Sequence, residues 1–465
     1  MAKFEVVSPV DDSVYVERSY SSEKIISDTL SQAVAAQRQW AETTFAERKK
    51  YCLALVDHIV KDKEVIANEI CQQMGRPIRY CEGEINGFAD RAKTMIDIAE
   101  KKLQTINCND QKSQNKTLNR YIERVPLGTV LSIVPWNYPF LTAVNSIIPA
   151  IMAGNTVIMK PSSQTPLTAE RIFSASQKAG LPVGVFSYLY LTHADTERLI
   201  ENKHIDFVCF TGSVKGGERI NLASSDRFIG LGLELGGKDP AYVRHDADIN
   251  YSVESLVDGA FFNAGQSCCG IERIYVHEQI YAEFVDAFCR QVRQYKLGNP
   301  LDPQTTLGPM VNARPAELVR QQVSDALSKG ATALIEESEF LTSELGSAYL
   351  APQVLVDVDH SMSVMVQESF GPVVGIMKVK DDDEAIALMN DSDYGLTASV
   401  WTKDEKVAID IGKQVQTGTW FMNRCDYLDP LLAWTGVKNS GRGCTLSEIG
   451  YEQLTRPKSY YLKQT

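Results

Sequence analysis

Apolar residues recur at three- and four-residue intervals through the N-terminal region, and segments such as Ser27–Gln39 and Ala46–Lys61 are predicted as amphipathic helices. A polar stretch, Gln104–Thr117, interrupts the pattern and reads as a loop. Beyond it, short runs rich in β-branched and aromatic residues alternate with helical ones. Strands are expected at Thr129–Val134, Asn155–Lys160, Val185–Leu191 and Ile205–Phe210, with helices at Val144–Met152 and Leu167–Ala179. The alternation resumes downstream, with strands at Ala331–Ile335, Pro372–Val379, Leu396–Trp401 and Thr419–Asn423 and helices at Glu384–Met389 and Lys406–Lys413. Such alternation implies βαβ units and parallel sheets, so two α/β domains are expected.

Composition narrows the class. A chain of 465 residues is too long for one core. Its 44% hydrophobic and 23% charged residues are ordinary for a soluble globular protein. A net charge of −12 argues against nucleic acid or an anionic membrane as a main partner, because phosphates need a basic surface. The longest apolar stretch, about Ala143–Met159, is shorter than a bilayer span and is broken by Pro149, Gly154 and two asparagines. No secretory signal opens the sequence. Ten cysteines over this length are no disulfide framework, and six histidines give no Cys/His metal spacing. Cytoplasmic, reduced and metal-free is the consistent expectation.

The chemistry concentrates in two stretches, Phe261-Phe-Asn-Ala-Gly-Gln-Ser-Cys-Cys269 and Leu233-Glu-Leu-Gly-Gly-Lys238. One offers a thiol that can attack a carbonyl and hold the product as a thioester. The other offers a carboxylate that can activate the water that releases it. At these stretches, and over essentially its whole length, the chain resembles the aldehyde dehydrogenase superfamily. The resemblance makes Cys268, the fourth residue of Gly-Gln-x-Cys, the nucleophile and Glu234 the general base. Cys269 is an equivalent thiol on paper; the motif register favours Cys268 and leaves Cys269 a structural role. Relatives that pass the acyl group to coenzyme A need no such base, so Glu234 favours hydrolysis to the acid.

Asn137, in Pro135-Trp-Asn-Tyr-Pro139, follows a predicted strand. A fixed side-chain amide there would stabilise an oxyanion, and the family's oxyanion-hole asparagine corresponds to it. A plain Asn-Tyr-Pro turn accounts for the local sequence equally well. The glycine turn Phe210-Thr-Gly-Ser-Val-Lys-Gly-Gly217 is not the Gly-x-Gly-x-x-Gly fingerprint. It nevertheless follows a strand and opens a helix, a setting suited to a pyrophosphate. By resemblance Gly212 and Gly217 hold that turn and Ser213 meets a phosphate. Lys160 would contact the adenosine ribose, and Glu368 the nicotinamide ribose with Phe370 beside it. The cofactor is expected to be NADP or NAD. Ser163 stands where NAD-preferring relatives often carry a carboxylate, which would repel a 2′-phosphate. Trp136, Phe262, Tyr427 and Trp434 flank the motifs. Core aromatics and a substrate tunnel fit them about equally, with Trp136 grouped with the cofactor and the other three with the substrate. Asp381-Asp-Asp-Glu384 reads as a helix N-terminus, not a metal site.

The resemblance implies an aldehyde-dehydrogenase-like α/β fold with two Rossmann-like parallel-sheet domains and a small β oligomerisation arm. Residues 1–104 and 126–235 would bind cofactor, 236–440 would carry the nucleophile, and 105–125 with 441–465 would build a homodimer or homotetramer. The implied reaction is oxidation of an aldehyde to the acid through a thioacyl enzyme. A cofactor-free cysteine hydrolase, or a binding protein that kept the fold, is the alternative; the glycine turn and Lys160 disfavour the first, the intact nucleophile, base and asparagine the second. Arginines that favour succinate semialdehyde in relatives correspond to Asn145 and Phe262, so uncharged or weakly polar aldehydes are expected, with Arg424 the one possible substitute. The family's late motif commonly ends Gly-Arg-Glu. Here Lys438 to Thr445 ends Gly-Cys-Thr. Thr445 replaces a glutamate sometimes invoked in proton relay, leaving Glu234 and water.

Overall fold

The structure, a computed structural model, describes residues 2–109 and 118–464. The middle of the first parallel sheet is Thr129–Ile133, buried at every position. It pairs in parallel with Thr156–Lys160 on one side and Phe207–Thr211 on the other. Phe186–Tyr188 and Gly230–Glu234 extend the sheet outward, again in parallel. A strand with neighbours on both edges and helices on both faces can bury all its side chains, which is why these segments read as unbroken apolar runs. On one face Leu131, Ile158 and Val208 pack against Leu30 and Ala33 of the helix Glu23–Ala41. On the other, Val130, Val157 and Met159 meet the helices Phe45–Lys61 and Pro139–Met152.

The second sheet has seven strands and is centred on Ile271–His277, also wholly buried. Asp239–Val243, Val373–Val379, Thr397–Trp401 and Thr419–Met422 join it in parallel. Several helices open on a side-chain cap. Thr44 and Glu47 form a reciprocal capping box, and Ser213 opens Val214–Ala223 by accepting from the Gly216 N–H at 3.2 Å.

The departures from the sequence pattern include the centre of the second sheet, where Asp239–Val243 and Ile271–His277 are strands the pattern does not predict, and several edges. The helical N-terminal region begins with a hairpin, Lys3–Val7 against Val14–Ser19, whose alternation is too short to show as a strand signal. Ala331–Ile335 contributes only Thr332–Ala333, antiparallel, and Val185–Leu191 only Phe186–Tyr188. Both are edge strands with pairing from one side. Within the expected loop Gln104–Thr117, Ile106–Asn107 pairs with Ile122 and Tyr121, while 110–117 lie outside the described residues. The tail divides in two. Gly441–Arg442 runs antiparallel on Gly230–Glu234, at the edge of the first sheet. Only Thr455–Lys463 pairs with Leu118–Pro126, in a nine-residue antiparallel ribbon. No helix among the described residues is long and apolar enough to cross a membrane.

Candidate active site

The C-terminal ends of the first sheet's strands and the segments that lead into the second sheet's strands face a cavity of about 580 Å³. Cys268, Glu234 and Asn137 all line it. Trp136, Gly212, Ser213, Glu368 and Phe370 line it as well, as do Phe262, Tyr427 and Trp434. Lys160, Ser163 and Gly217 are not on it. Lys160 ends its strand, its carbonyl accepting from Val134 N–H at 3.0 Å, and burial lowers its pKa. Ser163 is exposed in the turn beyond. Gly217 is buried where a Cβ would lie 2.6 Å from the Leu235 side chain, so its glycine serves close helix–strand packing.

The loop that carries Cys268 is held from several directions. Asn263, Ala264 and Gly265 follow one another at φ of 55°, 55° and 70°. The left-handed region suits glycine, and at Gly265 a Cβ would also lie 2.2 Å from the Gly371 carbonyl oxygen. Gln266 spans the turn: its Nε2 donates to Asn263 O at 3.0 Å and its Oε1 accepts from Val311 N–H at 2.8 Å. Gly237 lets the base-bearing turn pass close by, since a Cβ there would sit 2.3 Å from the Cys268 carbonyl oxygen.

The two adjacent thiols differ. Cys268 is half-buried on the cavity. Cys269 is 2% exposed, with Sγ 3.1 Å from Asp426 Oδ1. The neighbouring Cys268 thiol, then burial and Asp426, push the Cys269 thiol well up, which keeps it protonated and inert. Cys289 lies in the apolar core of the second sheet, away from the cavity.

Asn137 is 5% exposed and donates from Nδ2 to Gln266 O at 3.1 Å. Its own carbonyl accepts from Arg76 and, at 3.3 Å, from Asn263 Nδ2. Burial raises the Glu234 carboxyl, while hydroxyls of Thr445 and Thr211 hold it down. Glu368 accepts from Gly237 N–H at 3.1 Å, and burial followed by Glu272 pushes it up to about 8. The buried pair Lys238–Glu272 backs this corner, Glu272 accepting from Ser369 and Phe370 N–H at 2.8 and 2.9 Å.

The family assignment follows from the whole chain. A profile of the Aldehyde dehydrogenase family matches residues 1–460. The chain belongs to the aldehyde dehydrogenase family. It is 30% identical over 460 residues to the 3,6-anhydro-alpha-L-galactose dehydrogenase of Vibrio sp. (strain EJY3), covering 98% of this chain and 95% of that one. Among solved structures, the NADP-dependent glyceraldehyde-3-phosphate dehydrogenase from Bacillus halodurans C-125 complexed with NADP superposes with a TM-score of 0.93 at 32% identity, over 100% of this chain and 96% of that one. Betaine aldehyde dehydrogenase from Staphylococcus aureus in complex with NAD+ gives 0.92 at 28%, over 99% and 91%. This aldehyde dehydrogenase is an oxidoreductase that converts an aldehyde to the acid with NAD or NADP through a thioacyl enzyme.

Three residues of this dehydrogenase's site gave no sequence signal. Arg76, fully buried, pairs with Glu84, donates to Asn263 Oδ1 at 3.0 Å and stacks 4.4 Å from the Tyr138 ring. Glu84 in turn accepts from Phe140 N–H at 2.7 Å. The third, Arg91, is the one basic residue lining the cavity, against Asp90, Glu234, Asp258, Glu368 and Asp426. Its Nη1 donates to Leu141 O at 2.9 Å and Asn145 Oδ1 at 3.2 Å. Arg424 instead stacks on Tyr427, 3.8 Å from the ring centroid. Glu84 and Arg91 lie on the helix Ile78–Lys102 and Arg76 in the link before it, and the local pattern names none of their partners. No group of three or more metal-ligating side chains occurs among the described residues.

Proposed function

We propose that Cys268 is the nucleophile, Glu234 the deacylation base and Asn137 the oxyanion donor, and that the substrate is an uncharged or weakly polar aldehyde. What supports the roles is that these three side chains, far apart in sequence, line one cavity. The Cys268 thiolate attacks the aldehyde carbon, and the Asn137 amide with the Cys268 N–H stabilises the oxyanion. The fit of a dinucleotide rests on Gly212 and Ser213 opening a ten-residue helix on the cavity and on Glu368 facing it. Gly236 keeps that wall open, since a Cβ there would lie 2.5 Å from the Glu368 carboxylate. When bound, the nicotinamide accepts the hydride that leaves the substrate carbon. Glu234 then takes a proton from the water that cleaves the thioester, releasing the acid and the thiol. Burial of Glu234 moves its pKa toward neutrality, where a general base works best.

Acidic side chains outnumber the one guanidinium lining the cavity among the described residues, itself already bonded to Leu141 and Asn145, and that argues against an anionic aldehyde. Residues 1–104 with 126–235 would hold cofactor, and 236–440 the nucleophile. Among the described residues the tail strand Thr455–Lys463 leaves one long edge unpaired, with Tyr461 67% exposed, and an edge of that kind suits a second copy in a homodimer or homotetramer. Composition, with its ten unpaired cysteines, favours the cytoplasm.

The deciding experiment is a Glu234→Gln variant mixed with aldehyde and NADP. It should give a burst of reduced cofactor near one equivalent and little turnover afterwards. Full steady-state activity would remove Glu234 from the mechanism.

A further inference from the structure

We infer that Thr445 is a positioning residue that keeps Glu234 ionised and aimed, a role resting on the reading of Glu234 as the deacylation base. The Thr445 hydroxyl donates to one carboxylate oxygen of Glu234, and Thr211 Oγ1 donates to the other at 2.9 Å. Each oxygen thus carries one short neutral donor and keeps a lone pair for water.

Thr445 is placed rigidly enough to act this way. It is 8% exposed, and its backbone exchanges both bonds with Trp434, at 2.9 and 2.8 Å. Upstream, Gly441 sits directly opposite Glu234 in the antiparallel pairing of the two strands. Ser440 fastens the same segment, its carbonyl accepting from Leu235 N–H at 3.0 Å and its Oγ donating to Gly236 O at 2.7 Å. The hydroxyl therefore reaches Glu234 from a backbone fixed to Glu234's own strand. Behind the carboxylate lies a small hollow whose wall mixes Ser132, Thr142 and Asn145 with Ile133, Val134 and Phe210.

The chemistry of the residue matters. Burial pushes Glu234 toward its neutral form, and a hydrogen bond donated to the carboxylate opposes that. A second carboxylate at this position would add like-charge repulsion and raise Glu234 further. A threonine supplies the donor without the charge. The base is consequently available at lower pH than burial alone would allow.

The test follows deacylation directly. Wild type, Thr445→Val, Thr445→Ser and Glu234→Gln are loaded with one turnover of a small aldehyde and NADP. Loss of the acyl mass from the enzyme is then timed by rapid quench across acid and neutral pH. Thr445→Val is nearly isosteric, and its midpoint should move up by about one pH unit, slowing deacylation about tenfold below the midpoint. The burst of reduced cofactor should be unchanged, and Thr445→Ser should restore the wild-type profile. Superimposable profiles for Thr445→Val and wild type would overturn the inference. A fall equal at every pH, or no recovery in Thr445→Ser, would overturn it as well by marking a merely structural role. Wild-type deacylation in Glu234→Gln would instead refute the base assignment beneath it.

Discussion

The side-chain amide of Asn137 donates to the backbone carbonyl of Gln266 at 3.1 Å, two positions ahead of Cys268. The amide proposed to meet an oxyanion is thus oriented by the loop of Cys268, the proposed nucleophile. Its second N–H can point at the cavity while the first holds the plane. Asn137→Ala should lower kcat about 10²–10³-fold, as loss of one preorganised donor does elsewhere. Cofactor binding, read by quenching of tryptophan fluorescence, should change little. A kcat within a few-fold of wild type would assign the oxyanion to another group.

Adjacent thiols with different surroundings should behave differently. Cys268→Ala should abolish aldehyde oxidation, whereas Cys269→Ala, which removes a protonated thiol bonded to Asp426, should keep a substantial part of it. Steady-state assays of both variants beside their melting temperatures separate chemistry from folding. A dead Cys269 variant that is still folded would reverse the assignment.

Glu368 is pushed up to about 8, so at neutral pH it is mostly protonated. Ribose hydroxyls are best accepted by the ionised form, which prevails only above that value. Affinity for NAD or NADP should therefore tighten several-fold as pH rises through about 8, measured by titration calorimetry. Glu368→Gln should flatten the dependence. A flat wild-type profile would take Glu368 out of cofactor binding.

Cofactor choice should turn on Ser163. It is exposed in the turn after Lys160 and presents no carboxylate to a 2′-phosphate, so NADP should be used at least as well as NAD. Comparing kcat/KM for both cofactors in wild type and Ser163→Glu checks this. Strict NAD use by the wild type, or no shift toward NAD in the variant, would contradict it.

The sequence was most legible where geometry leaves fewest choices. Thr129–Ile133 and Thr397–Trp401 lie inside parallel sheets, buried at every position, so the runs stand out. Gly265 and Gly237 mark the site because backbone passes too close for any Cβ. At Ala331–Ile335 the expected strand shrinks to Thr332–Ala333, an antiparallel edge paired on one side only, and the sequence does not show how little of the run the edge holds. Arg76 and Arg91 were silent for a different reason. Their partners, Asn137, Asn263, Leu141 and Asn145, come from distant segments, and local pattern carries no trace of such meetings.

Arg76 and Glu84, both about 1% exposed at the side chain, form a buried pair whose remaining bonds reach Asn137, Asn263 and Phe140. Losing either partner would strand a charge in the interior, typically at a cost of about 3–5 kcal/mol, before any effect on catalysis. The two positions are therefore free to change only together. Tyr427, 38% exposed at the cavity mouth, carries no such debt. Across related sequences, variation should thus gather at the rim while this ion pair is inherited as a single unit, so that new aldehydes can be accommodated without disturbing the asparagine that serves them all.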